Sequence, residues 1–582
     1  MVPLRHRLRP RTARGQSLTA LAVYAVLSLA LVGRHALVDP AHTCACLGRG
    51  DPGLFMWALK WWPHAITDAA NPFFTSTIWN PAEINLPATT SVPALSLALW
   101  PVTATLGVVV TYNVVTLLSP ALAAWFAYRL CRYLTGAWLP SLVGGYVYGF
   151  SSYELGQMLG HLHLVPIFLL PAGVHLVLLR MDERISVRRF VVLMAAVFTL
   201  QVLISTEVLF VGLIFGFTAL LVAFWLVPAR RTAIRSTIPP LLVAGAAAAL
   251  VLSPFLYEAF RGLGAAPSLD WHATARTFSA DPLNYVVPTP ITWLGGGWAE
   301  PLAAKFNTVD GGLTGVYSES GAYIGLPLLA LAGWFLVRTW ERRTSRVALA
   351  MIALIFVASL GAHLHIAQPP AQADLDYHPK IRLPWEAFSH LPVFDHVLPA
   401  RFALFISLIV AVLVAEALAL PATGRPWGRW LLAGVGVVAL LPTFSGSYWS
   451  GKVTATPFFD DGTYKRYIKR DEIVLAFPLQ SGDSMVWQAN SDWHFRMASG
   501  YISAEIPPEF WRDPVVHNLL GPDGSGPIPR KGLPAAFRDF LDRHDVGAVV
   551  FQPAPGAWWE GLLDQLHFQK DRIGGVVLYR VR

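Results

Sequence analysis

Asp51 is the first residue of this sequence placed to move a proton. It follows Gly48-Arg49-Gly50 and precedes Pro52-Gly53, a few residues beyond the first apolar run. A carboxylate held there by turn-forming neighbours can accept a proton from a substrate at a lipid surface, and partial desolvation keeps its pKa in a useful range. The same residues are also good helix-start chemistry, with Pro52 in the first turn of a helix over 53–64. Glu83, Glu154, Glu207, Asp281 and Glu319 are further acids expected at the same boundary, where an ionised group must be solvated or paired. Two His-x-His pairs, His161/His163 and His363/His365, each turn two imidazoles to one side of an extended segment. That is a metal-ligand pattern lacking a fixed carboxylate, and interfacial hydrogen bonding is the competing reading. Lys380, Arg382 and Arg401 are the candidate cations. Arg401 stands at the mouth of an apolar run, where its guanidinium could hold a phosphate through two parallel bonds, snorkel to the surface, or pair with Asp395. Trp57, Trp61, Trp62, Trp79 and Trp100 read as an interfacial aromatic belt, or as platforms for a sugar ring or polyprenyl chain. No dinucleotide or P-loop glycine motif is present, so no cofactor is implied, and no metal is indicated.

These residues need elements to position them, and composition says which kind. Of 582 residues 54% are hydrophobic and 14% charged, against about 25% charged in ordinary soluble domains, so the chain reads as a polytopic α-helical membrane protein. The net charge of +8 does not point to nucleic acid, because the basic residues punctuate the ends of apolar runs instead of clustering with aromatics. Runs long enough to cross about 30 Å of hydrocarbon lie near 17–38, 110–130, 138–153, 164–180, 190–206, 208–227, 237–256, 321–338, 347–362, 402–420 and 430–446, giving about eleven spans. The stretch 93–107, broken by Pro93 and Pro101, reads as a partly buried or re-entrant piece. Three cysteines set no disulfide framework.

Arginines at 129/132, 180–189, 230–235, 338–346 and 425/429 fall on one side if the N-terminus is cytoplasmic. The other loops, above all 39–92, then face outward, and the chemistry belongs there. Residues 1–446 read as the membrane domain and 447–582 as an extracytoplasmic α/β domain. Its expected strands lie over 472–478, 547–551 and 575–580, and its helices over 535–544 and 558–566.

In this order the chain resembles the GT-C-fold membrane glycosyltransferases, and more narrowly a bacterial branch of them. The resemblance is carried by Gly48-Arg-Gly-Asp51, Asn71-Pro-Phe-Phe, Trp79-Asn-Pro-Ala-Glu83, Gly160-His-Leu-His163, Phe278-Ser-Ala-Asp-Pro-Leu-Asn-Tyr285, Glu319 with Tyr323-Ile-Gly-Leu-Pro327, and Pro399-Ala-Arg401-Phe402. It lacks a clear second acidic motif paired with Asp51. The resemblance implies an inverting transferase in a bacterial plasma membrane, taking a sugar from a polyprenyl-phosphate donor to a glycan, lipid or protein acceptor. Asp51 is then the base, Arg401 (or Lys380 or Arg382) the phosphate clamp, and Glu83, His161, His163, Glu319, Trp57 and Trp61 candidate substrate contacts. The competing readings are a lipid transporter or flippase, which would place its ionisable groups in mid-membrane, and a catalytically inactive scaffold of envelope assembly.

Overall fold

Within hydrocarbon each backbone polar group must be satisfied by its own segment, and the apolar runs answer with helices. The computed structural model describes residues 13–582 apart from 49, 263–274, 276–277, 307–315, 368–380, 392, 422–426, 454–455 and 503–505. Its principal helices begin with α1 (Ala13–Ser28, continued by a π turn over Leu29–Gly33), α2 (Asp51–Thr67), α3 (Val108–Thr135), α4 (Trp138–Gly149) and α5 (Ser152–Gln157). They continue with α6 (Leu169–Met181), α7 (Val187–Ile204), α8 (Thr206–Leu226), α9 (Arg231–Val251), α10 (Leu326–Arg338), α11 (Arg343–Ser359), α12 (Ala403–Ala419) and α13 (Trp427–Ala439).

Each apolar run read from the sequence overlaps at least one of these helices, and the run over 138–153 overlaps two. Among the described residues seven helical segments are long and apolar enough to cross a membrane: Ala13–Gly33, Val108–Thr135, Leu162–Met181, Val187–Ile204, Thr206–Leu226, Pro228–Val251 and Pro399–Ala419. The helices α10 and α13 are apolar but shorter. The run expected over 138–153 is interrupted, because α4 stops at Gly149 and the chain restarts as α5 under Ser151, whose hydroxyl accepts from the Glu154 N–H. Residues 93–107 form two short helices, Pro93–Ala98 and Trp100–Leu106, with the first packed on α2.

The C-terminal part is tied to the first loop twice. Strand β1 (Thr43–Cys44) pairs antiparallel with β2 (Gly451–Lys452). A five-stranded sheet follows, built from β3 (Ile473–Phe477), β4 (Arg496–Met497), β5 (Val546–Phe551), β6 (Gln569–Ile573) and β7 (Val576–Arg580), in the order β4-β3-β5-β7-β6. The central β5, Val-Gly-Ala-Val-Val-Phe, is buried along its whole length, as a near-continuous apolar strand covered on both faces must be. Helix α14 (Gly482–Asn490) packs against α2, and their side chains join those of the sheet in one apolar core.

One sequence expectation is corrected here. Trp57 and Trp61 form neither belt nor substrate platform: both are at least 96% buried, stacked 5.0 Å apart, with Trp493 edge-on to each. Their N–H groups are spent inside the fold, on Gln488 Oε1 at 2.8 Å and the Pro72 carbonyl at 3.0 Å. An indole so enclosed reaches neither lipid nor sugar; Trp62 and Trp79 are likewise buried, while Trp100 stays exposed. Cys44 and Cys46, which the cysteine count left unread, form a disulfide in and beside β1.

Candidate functional site

Asp51 is the first residue of α2. Gly50 turns the chain into it at φ +68°, a conformation that residues with a Cβ rarely adopt, and Pro52 sets the first turn. The backbone on the far side comes very close: a Cβ on Gly53 would stand 2.0 Å from the Gly482 carbonyl oxygen, and one on Gly482 would stand 2.3 Å from that of Gly50. This turn of α2 is therefore built against the segment leading into α14. The carboxylate does not cap the helix. Its Oδ1 accepts the Tyr501 hydroxyl at 2.5 Å, and its Oδ2 lies 3.2 Å from His161 Nε2. The Asp51 side chain remains 22% exposed.

The imidazole is delivered by α5. The turn after it returns the His161 N–H to the Gln157 carbonyl at 2.9 Å, and this i, i+4 spacing sets Gln157 Oε1 2.7 Å from His161 Nδ1. The Gln157 amide is oriented by its NH2, which donates to the Ser318 carbonyl at 3.0 Å. Its oxygen therefore faces the ring and accepts from Nδ1–H. With Nδ1–H on Gln157, Nε2 is the nitrogen that faces Asp51, and a proton there makes the contact an ion pair. Burial pulls the His161 pKa down, but the Asp51 hydrogen bond and the charges of Glu319 and Asp51 outweigh it and raise it. Burial pushes the Asp51 carboxyl up, and the His161 hydrogen bond and charge, with the Tyr501 hydroxyl, bring it below its ordinary value.

Beyond His161 the chain of polar contacts turns inward. Glu319 Oε1 lies 3.3 Å from His161 Nδ1. The same carboxylate takes Arg401 bidentately, Nη2 to Oε1 at 2.6 Å and Nε to Oε2 at 3.0 Å. Arg401 Nη1 donates to Glu207 Oε2. Burial raises the Glu319 carboxyl, and the Arg401 charge and hydrogen bond more than reverse this. Both Glu207 and Arg401 stand at the ends of apolar helical segments, within the first three residues of Thr206–Leu226 and Pro399–Ala419. The ion cluster thus caps one end of the bundle.

Of the residues singled out in the sequence, the fold brings Asp51, His161, Glu207, Glu319 and Arg401 into this one series. His163 lies next to it, buried and stacked on Phe55 at 5.3 Å between ring centres. Arg401 does not pair with Asp395, which lies beside His396 instead, and its guanidinium is already bound by two carboxylates. Glu83 is exposed, and Arg382 is exposed in a bridge with His363; Lys380 lies outside the described residues. His363 Nε2 faces Glu386 at 3.4 Å. Among the described residues no group of three or more His, Cys, Asp or Glu side chains is arranged to hold a metal ion.

Two members of the series escaped sequence reading. Gln157 carries a weak signal, standing four residues before His161. Tyr501 carries none, since it reaches Asp51 from 450 positions away. Glu207 is visible as a boundary acid, but its partner is not.

Two structures of the Archaeoglobus fulgidus oligosaccharyltransferase share this fold. One is the archaeal oligosaccharyltransferase AglB in complex with an inhibitory peptide and a dolichol-phosphate, matching at a TM-score of 0.52 and 13% identity over 92% of this chain and 69% of that one. The other is the same enzyme tethered through a disulfide to an acceptor peptide containing the NVT sequon, with a TM-score of 0.52, 13% identity and the same coverage. The likeness to this oligosaccharyltransferase is one of fold. No curated protein sequence matches this chain. The family model described as a domain of unknown function, DUF6311, matches residues 21–389, and the chain belongs to that family.

Proposed function

We propose that this chain is a membrane glycosyltransferase that moves a sugar from a polyprenyl-phosphate carrier to a hydroxyl of a glycan, lipid or protein acceptor. The observation that carries the reading is Asp51: a partly open carboxylate between the His161 imidazole and the Tyr501 hydroxyl, at the capped end of a GT-C-fold bundle. In the reaction Asp51 takes the acceptor's proton as its oxygen bonds to the anomeric carbon. The carbon–oxygen bond to phosphate breaks on the opposite face, the configuration inverts, and polyprenyl phosphate leaves with the electron pair. A phosphate leaving group needs no second carboxylic acid, unlike the aglycone of a glycoside.

His161 keeps Asp51 charged and fixes its orientation, and Glu319 with Gln157 fixes His161. Arg401 is the candidate for stabilising the departing phosphate. Its Nη1 edge, shared with the more exposed Glu207, is the one a phosphate takes, while Glu319 at 3% exposure keeps its bidentate hold. Glu83, Arg382 and Lys380 are left as contacts for parts of donor or acceptor remote from the reacting carbon. The arginine pattern supports a topology with the Asp51 end of the bundle, and with it residues 447–582, outside a bacterial plasma membrane.

The test is turnover by the full chain in lipid nanodiscs, offered a panel of polyprenyl-phosphate sugars and hydroxylated acceptors, with release of polyprenyl phosphate as the readout. Wild type should release it and Asp51→Asn should not, at comparable melting temperatures. Equal release by both removes Asp51 from the mechanism. No release by wild type, together with movement of polyprenyl phosphate across vesicle bilayers, replaces the enzyme with a transporter.

A further inference from the structure

We infer that Tyr501 holds, in the resting protein, the place on Asp51 that an acceptor hydroxyl takes, so that acceptor binding exchanges one hydroxyl for another. The inference rests on the glycosyl-transfer reading for the class of its ligand, a hydroxyl-bearing acceptor. A general base meets its substrate through an O–H···O contact of about 2.6–3.2 Å. The Tyr501 hydroxyl already donates to Oδ1 at 2.5 Å, the length of a charge-assisted O–H···O⁻ bond.

The two oxygens of Asp51 are not equivalent. Displacing His161 from Oδ2 would leave a largely enclosed carboxylate without its counter-ion, a strongly unfavourable change. Replacing the phenol on Oδ1 by another alcohol leaves every charge in place. Oδ1 is therefore the exchangeable side. Tyr501 cannot serve as the base in its own right, because burial and the neighbouring Asp51 charge push its pKa far above the ordinary phenol value.

The exchange is a side-chain rotation and leaves the C-terminal sheet in place. The backbone leading to Tyr501 is stitched to its surroundings: Asn80 N–H to the Met497 carbonyl at 2.8 Å, Trp79 N–H to the Ser499 carbonyl at 3.0 Å, and Gly500 N–H to the Leu479 carbonyl at 3.1 Å. The ring itself is only half-buried. It lies directly on the turn before α2, where a Cβ at Gly50 would come within 3.1 Å of the phenol oxygen. Tyr501 is thus a positioning residue that guards the base and sets how strongly an acceptor must bind to reach it.

Tyr501→Phe removes the hydroxyl and keeps the ring. Wild type and variant, as full chains in nanodiscs, are treated with a water-soluble carbodiimide and an amine, and coupling at Asp51 is quantified by peptide mass spectrometry. Coupling should rise several-fold in the variant; equal coupling overturns the inference. This readout needs no substrate, so it is decided even if glycosyl transfer fails. Where transfer is measured, Tyr501→Phe should lower the acceptor KM several-fold without lowering kcat. A fall in kcat at unchanged KM instead makes the phenol part of the chemistry and overturns the exchange. Tyr501→Leu, read the same way, serves if Tyr501→Phe is poorly produced.

Discussion

The two ends of the polar series are built from different materials. At one end Asp51 is 22% exposed and meets one cation and one neutral hydroxyl. At the other, Glu319 is 3% exposed and locked to a guanidinium that a second carboxylate also holds. A neutral hydrogen bond at a partly wet site contributes about 1 kcal/mol and can be exchanged. A buried ion pair adds little net stability over apolar packing, yet stripping one partner from it is severe. The contrast separates an end whose neutral partner can be exchanged from an end held together by buried ion pairs, with His161 as the joint.

Breaking the anchor should have the largest effect on the fold. Arg401→Met leaves Glu319 and Glu207 without their cation, and about 3–5 kcal/mol of stability should be lost, read as a lower melting temperature. A melting temperature within a degree or two of wild type would show that the inner end is not an anchor. Asp51→Asn should invert that pattern, lowering turnover by about 10²–10⁴-fold while costing only about 1–2 kcal/mol of stability.

The joint can be probed by pH. Asp51 is depressed in the fold, so its contribution is complete above the ordinary value of about 3.9 and is lost as pH falls through the lower folded value. His161 is raised, so its contribution is complete below about 6.5 and is lost as pH rises through the higher folded value. The pair is therefore strongest between about pH 4 and 6.5, and melting temperature should decline on the alkaline side of that window. His161→Gln should abolish this decline, and a decline that persists would assign it elsewhere. The smallest effect is expected far from the series: Glu83→Ala and Arg382→Ala, both exposed, should change stability by no more than about 0.5 kcal/mol. Any loss of turnover in either then reports contact with substrate.

The sequence reveals the helices readily, because an apolar run long enough to cross hydrocarbon has few other ways to satisfy its backbone. It also picks out Asp51, His161, Glu319 and Arg401, through turn residues, an alternating histidine pair and charges at the ends of apolar runs. Their convergence is not legible. His161 meets Glu319 across 158 positions, and Glu319 meets Arg401 across 82 more, with no local pattern to announce either contact. The tryptophans mislead for a different reason. A ring at a lipid headgroup and a ring in a core adjoining the membrane come from the same composition, and only the partners of Trp57 and Trp61, which lie in α14 and at Pro72, tell them apart. Tyr501, in a short segment without periodicity, offers sequence reasoning nothing to hold.

The apolar core shared by α2 and the C-terminal sheet has a consequence for biogenesis. Trp57 waits for Gln488, 431 residues later, and Thr43 waits for Lys452. A ribosome at about 5–20 residues per second needs tens of seconds to supply those partners. Throughout that interval the helix that begins with Asp51 lacks the partners of Trp57 in the C-terminal part. A nascent or truncated chain therefore carries Trp57 without Gln488, and Trp57 and Trp61 without Trp493 against them.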